Sequence, residues 1–400
     1  LKTSNKTNII GINRGERNLI YVTVIDSEGN IKEQENFNII THSYNGLTYN
    51  VNYQDKLDKK EKNREQAREN WTTLESIKEL KEGYLSQVIY KICKLIVKYD
   101  AIVVMENLNS KFKNSRVRIE KQIYQKFENM LINKLNYYVD KDTDIDKCGG
   151  LLNAYQLTNK ADTTTSSGSQ NGIIFFVNPG YITNVDPTTG FISMLNPKYE
   201  NIKQVHSFIE NIDDIRYNKD KDYFEFDIDF KKFPVKFQGG QSEWTICTFG
   251  ERLKYINNPL PGQKSYETLS MTSEFKELFD DCHIKYEDGN VKDSLLCIDS
   301  KPLLQRFMEL LKLTLQISNV VYDRDYIISP VLNNNNEFYC SESYITDTNA
   351  NIPCCVDSNG SYNLARKGLI FLNRIKEAKD VTEVSTYISN EEWLDYIQNN

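Results

Sequence analysis

Three polar side chains stand where apolar segments stop. Asn13 ends the run Ile9-Ile10-Gly11-Ile12, Glu106 ends Ala101-Ile102-Val103-Val104-Met105, and Asp357 heads a helical segment. The chemistry such a set can support is metal-dependent phosphodiester hydrolysis. There, carboxylates converge on two Mg²⁺ ions about 3.5–4 Å apart, one activating water and one stabilising the leaving oxygen. Mg²⁺ takes hard oxygen ligands, and water and phosphate complete its shell, so few protein carboxylates suffice. One member of this set is not a carboxylate. Asn13 is nearly isosteric with Asp but neutral, with one carbonyl oxygen beside an NH₂ group that repels a cation. A Glu at a strand end is, taken alone, far more often structural than metal-binding, so the chemistry rests on the set.

The elements that must position these groups are legible as patterns. Asn8–Ile12, Leu19–Asp26 and Ile31–Phe37 read as a three-strand meander, with Ser27-Glu28-Gly29-Asn30 as a turn. Asn45-Gly46 marks a further turn, and Tyr53–Asn70 is a densely charged, solvated helix with opposite charges four residues apart. Trp71 follows it, either a ring docked in the core or a plug joining this helix to another lobe. Leu74–Tyr99 is an amphipathic helix feeding the buried strand that ends in Glu106, and a helix follows over Arg118–Val139. Gly149–Lys160 and the polar Asp162–Gln170 read as loop, and Ile173–Val177 as another apolar strand. From about Asn178 the chain turns to short aromatic strands and turns, with helices expected over Glu274–Phe279 and Pro302–Ser318. Asn333–Asn336 is an Asn-rich turn, and Asp357–Ala378 a final helix.

Four hundred residues suffice for two or three domains. No run approaches the roughly 18 apolar residues of a membrane span, and Leu1 in place of Met suggests a piece of a longer polypeptide. The eight cysteines form no CxxC pair and have no histidine at zinc spacing, and Cys354-Cys355 is their only cluster. Reduced thiols in a cytoplasmic protein are the expectation. A net charge of −7 excludes nucleic-acid binding by bulk charge, so local basic stretches must supply any phosphate contacts. Lys111, Lys113, Arg116, Arg118 and Lys121 are such a stretch, which reads equally as a solvated helix entry or as phosphate contacts.

Several runs carry a resemblance. IIGINRGERNLIYVTVIDSEGNI, NREQARENWTTLESIKELKEGYLSQVIYKICKLIVKYDAIVVMENLN and KNSRVRIEKQIYQKFENMLINKLNYYVDK resemble the type V-A CRISPR effector nucleases, the Cpf family. So do LLNAYQLTNK, NGIIFFVNPGYITNVDPTTGF, DYIISPV and VDSNGSYNLARKGL, in order across nearly the whole chain. The resemblance covers that family's carboxy-terminal nuclease lobe; the recognition lobe would precede residue 1. It implies an α/β fold: an RNase H-like RuvC mixed sheet with flanking helices, split by a bridge helix and an α+β Nuc insert. RuvC would take residues 1–177, with the bridge at about 53–71 and Trp71 docking between lobes, together with 354–400; Nuc would take 178–353. It also implies Mg²⁺ or Mn²⁺ as cofactor, guide RNA and target DNA as partners, single-stranded DNA at the RuvC cleft, a place in prokaryotic antiviral defence, and no membrane. Glu106 and Asp357 would be the second and third catalytic carboxylates, Asp325 a retained site residue, and the basic stretch a nucleic-acid contact. Sequence choice would be delegated to guide pairing.

The departures from that family bear on activity. Asn13 replaces its Asp, and Ser318 in Leu315-Gln316-Ile317-Ser318-Asn319-Val320 replaces its Arg. Tyr339-Cys340-Ser341-Glu342 stands for Phe-Asp-Ser-Arg, and Cys355-Val356-Asp357 keeps only the second of two aspartates. Ser cannot make the bidentate, permanently charged phosphate contact of Arg. Losing ~3–5 kcal/mol of metal organisation slows cutting about 10²–10⁴-fold. Several changes around one cleft read as loss of selection for cutting rather than as one engineered change. The expectation is a guide-directed DNA binder impaired in cleavage. The alternatives are an active DNase using Glu106 and Asp357 as a weak metal site, and a non-catalytic scaffold or relic.

Overall fold

The computed structural model describes residues 7–14, 20–70, 78–107, 118–135, 173–237, 239–256, 265–287, 289–321, 324–344, 351–380, 384–385, 387 and 388–399. Trp71, Lys111, Lys113, Arg116 and the loops expected at 149–170 lie outside them, and Arg118 and Lys121 are described by their backbone alone. The chain forms two compact units, 1–182 with 360–388, and 183–359 with 389–400.

The first unit is built on one five-stranded sheet. Its strands are β1 (Asn8–Asn13), β2 (Tyr21–Ile25), β3 (Ile31–Asn36), β6 (Ala101–Glu106) and β7 (Ile174–Val177), in the order β3-β2-β1-β6-β7. The meander β1-β2-β3 is antiparallel, whereas β6 joins β1 and β7 joins β6 in parallel. Between β3 and β6 come the hairpin β4 (Ile39–Tyr44) and β5 (Leu47–Asn52), then helices α1 (Tyr53–Glu69) and α2 (Lys78–Tyr99). The hairpin turns at Asn45-Gly46, both with positive φ, the residue pair that a two-residue hairpin turn favours. Asn52 caps α1 by accepting the Asp55 amide at 3.1 Å, and its own amide reaches the Asp55 carboxylate.

Strand alternation sorts the sheet's two faces. Ile10, Ile12, Val22, Val24, Val103 and Met105 pack with Leu85, Val88 and Ile92 of α2 and with Phe127 and Leu131 of α3 (Arg118–Leu135). The other face receives the long helix Val356–Glu377, from Gly360 onward. Here the backbones nearly touch: a Cβ on Gly11 would lie 1.9 Å from the Ser361 carbonyl oxygen, and one on Gly368 2.7 Å from Val104. Polar contacts fix the helix. The Thr23 and Ser361 hydroxyls share a 2.5 Å hydrogen bond, and the buried Lys367 ammonium donates to the carbonyls of Asn178 and Gly180.

The second unit has an aromatic core. Strands β8 (Ile212–Asn218), β9 (Tyr223–Asp229) and β10 (Glu243–Cys247) form an antiparallel sheet that packs with α4 (Ile202–Glu210), α5 (Met271–Asp281), α6 (Val291–Leu296) and α7 (Lys301–Thr314). Phe224, Phe226, Phe275, Phe279 and Phe307 are fully buried there, so these rings serve packing. The hairpin β11 (Glu251–Ile256) and β12 (Ser265–Ser270) and the sheet β13 (Ser318–Val320), β14 (Asp325–Leu332) and β15 (Phe338–Cys340) complete the unit.

The helix expected over Pro302–Ser318 stops at Thr314, and Ser318 instead opens a strand. Arg252 of β11, wholly buried, explains the stop. Its guanidinium donates to the carbonyls of Thr314, Gln316, Phe249 and Glu251, taking up oxygens that a helix end leaves open. Burial pushes its pKa down to about 10, and it remains charged at neutral pH.

Candidate active site

Asn13 and Glu106 are brought together by the parallel pairing of β1 and β6. The register pairs Ile12 with Met105, and one step further both strands end, in Asn13 and Glu106. By alternation both share the face of Gly11 and Val104, which packs on the long helix. The carboxyl ends of parallel strands are where sheets of this kind hold ligands. Asn13 is buried, and the Arg14 guanidinium Nε donates to Glu106 Oε2 at 3.3 Å, with the Glu106 side chain 11% exposed. Ile12, Ile20, Met105, Phe127 and Glu128 complete a crevice of about 20 Å³ around them. That is room for one water-sized group.

The sequence reading missed Arg14 and Glu128. The only signal for Arg14 was its place directly after Asn13, and its partner lies 92 residues away. Nothing in the helical pattern of α3 distinguished Glu128.

Three further predicted residues meet at the head of the long helix, within the second unit. Asp357 occupies the helix's first turn and is buried. Asp325, at the start of β14, accepts the Val356 amide at 2.9 Å through Oδ1, so it helps hold that first turn in place. The Ser318 hydroxyl donates to the Thr183 carbonyl at 2.8 Å and to Asn184 Oδ1 at 2.9 Å. Asn359 donates to the carbonyls of Val185 and Thr183, so Ser318 and the helix head grip the same short loop. Cys340 lies on β15, beside Ser341, whose hydroxyl accepts the Ile327 amide. A hydrogen bond with the neighbouring Cys354 thiol, followed by burial, pushes the Cys355 thiol well above its ordinary range.

Residues 1–400 match the RuvC nuclease domain. The chain belongs to the RuvC nuclease family. Its α/β architecture is the RNase H-like RuvC fold, a mixed sheet carrying parallel and antiparallel pairs with helices on its faces. RuvC nucleases generally depend on divalent metal ions. Among the described residues, the donors at the strand ends are poorly suited to a pair of metal ions. The described residues contain no group of three or more carboxylate, histidine or cysteine side chains placed to hold a metal. At the strand ends, Asn13 brings a neutral amide, and Glu106 lies against a guanidinium that competes with any cation for its oxygens. What the residues at the strand ends can do is hold one small polar group beside an Arg14–Glu106 pair. No described helix is long and apolar enough to cross a membrane.

Proposed function

We propose that this RuvC chain is the nuclease lobe of a type V-A CRISPR effector, and that it serves guide-directed DNA binding with cleavage impaired. The observation that carries the impairment is the neutral Asn13 closing β1 beside an Arg14-paired Glu106. Residues 1–177 and 354–400 take the RuvC role and 178–353 the Nuc role. Glu106 and Asp357 take the two remaining carboxylate roles of the family, with Asp325 holding the segment that carries Asp357 and Ser318 standing where the family has Arg. Trp71 is the interlobe dock. Lys111, Lys113, Arg116, Arg118 and Lys121 contact phosphate, guide RNA and target DNA are the partners, and any Mg²⁺ or Mn²⁺ binds weakly.

The test uses the complete effector with guide, matched target DNA and Mg²⁺ or Mn²⁺. Salt-sensitive binding of target with cutting at least about 10²-fold below an intact two-metal enzyme is expected. Cutting at family-like rates that Glu106→Ala abolishes overturns the proposal. Weak trimming of single strands in Mn²⁺ alone points to a residual one-metal DNase. Loss of all DNA affinity at low salt points to a scaffold.

A further inference from the structure

The head of the long helix is capped by sulfur. Cys355 immediately precedes Val356; its carbonyl accepts the Asn359 amide at 2.9 Å, and its Sγ accepts the Ser358 amide at 3.4 Å. Ser, Thr, Asp or Asn ordinarily fills this place with an oxygen. The Cys354 and Cys355 thiols are in hydrogen-bond contact, no disulfide joins them, and both residues are half-buried.

We infer that Cys354 and Cys355 form a redox-operated latch: oxidation by a peroxide joins the two thiols, withdraws the sulfur cap from Ser358, and shifts the first turn that carries Asp357. The Cys354 thiolate attacks a peroxide oxygen, forming an S–O bond as the O–O bond breaks, and the departing hydroxide takes up a proton to become water. The Cys355 sulfur then attacks the resulting sulfenic acid, forming the S–S bond, and its thiol proton leaves with the sulfenic hydroxyl as a second water. Two thiols and one hydrogen peroxide thus give one disulfide and two waters, the sulfurs oxidised and the peroxide reduced.

Geometry makes this bond a lever. Neighbouring Cα atoms lie about 3.8 Å apart across a trans peptide, fixed by covalent geometry and inside the roughly 4.4 Å minimum of ordinary disulfides, so closing the small ring must twist the 354–355 backbone dihedrals. That backbone runs directly into Val356, whose amide is held by Asp325, and then Asp357. Strained disulfides are the readily reduced ones, which makes the latch reversible. Its effect on DNA rests on the role proposed above for Asp357; its closure does not.

The experiment treats the full chain with hydrogen peroxide, then measures intact mass, the position of the disulfide and amide exchange. The expected result is a loss of two hydrogens, a bond mapped to Cys354–Cys355, at least tenfold faster exchange at the amides of 356–359, and recovery with dithiothreitol. Cys354→Ser should abolish all of these changes. A bond from either cysteine to Cys340, sulfinic acid alone, or a 354–355 bond with unchanged exchange overturns the latch. A latch that closes and moves the helix head without altering DNA binding or cutting upholds this inference and counts against the role of Asp357.

Discussion

At the scale of single residues, Asn13 separates packing from charge. It keeps the shape of an aspartate at the end of β1, so the neighbouring contacts of the strand need not change, while the anionic charge beside Glu106 is absent. Restoring the carboxylate puts two like charges on adjacent strand ends, which destabilises. Asn13→Asp is therefore expected to lower stability by about 0.5–2 kcal/mol without metal. Saturating Mg²⁺ should recover it, since a ligand at ~100 times its Kd adds about 2.7 kcal/mol. Thermal melting with and without Mg²⁺ checks this, and an equal Mg²⁺ shift in the unchanged chain would refute it. Asn13→Asp is also expected to recover cutting only in part, because the Ser318 hydroxyl bonds Thr183 and Asn184 and supplies no cation for phosphate. Full recovery from that one change would show Ser318 to be neutral.

At the scale of elements, the close approach of β1 to the long helix is the most demanding contact in the first unit. A methyl group on Gly11 meets backbone, not a flexible side chain, so Gly11→Ala must push strand and helix apart. A cost of about 2–4 kcal/mol is expected, somewhat above ordinary overpacking because no side chain can swing aside. A urea melt measures it, and a cost under 1 kcal/mol would show that the sheet yields more easily than the packing implies. The same element scale shows what the sequence made legible. The β1–β3 meander and β6 were readable because buried strands alternate or run apolar between turn residues, and parallel pairing then placed Asn13 beside Glu106. The hairpin β4–β5 announced only its Asn-Gly turn, because Leu47 and Tyr49 face solvent and leave no apolar alternation. The end of α7 was hidden for a different reason. It is set by Arg252, from a strand some sixty residues earlier, which no local pattern reports. Likewise, the hold of Asp325 on the helix head, and of Ser318 and Asn359 on the 183–185 loop, joins segments distant in sequence.

At the scale of the whole molecule, acid should weaken both units through carboxylates held below their ordinary range. Burial raises Asp26 in the first unit, but hydrogen bonds from Lys32, Asn30 and Glu28 outweigh it. In the second unit burial raises Asp227, and Arg216 and Thr245 outweigh it. Such a group takes up its proton more readily in the unfolded chain. Its stabilisation is therefore complete above the unfolded value, near about 4, and is lost as pH falls through the folded one. The urea midpoint is expected to stay level from pH 7 to 5 and to decline below about 4; a midpoint that is flat down to pH 3 would remove these carboxylates from the account.

Trp393 in the terminal helix Asn390–Asn399 is fully buried, and Gln398 in that helix bonds the Gly190 carbonyl. Since the second unit draws on 183–359 and 389–400, and the first on 1–182 and 360–388, both recruit chain made late in translation. A ribosome adding about 5–20 residues per second therefore holds the central sheet without its covering helix for roughly ten seconds or more, and the aromatic core without its last helix for about two to nine seconds. During that interval β1 lacks its covering helix, and its Gly11 face stays open to other chains. Chaperone demand in the cell would thus be set by the order in which the chain interleaves its two units, independently of how stable either becomes once complete.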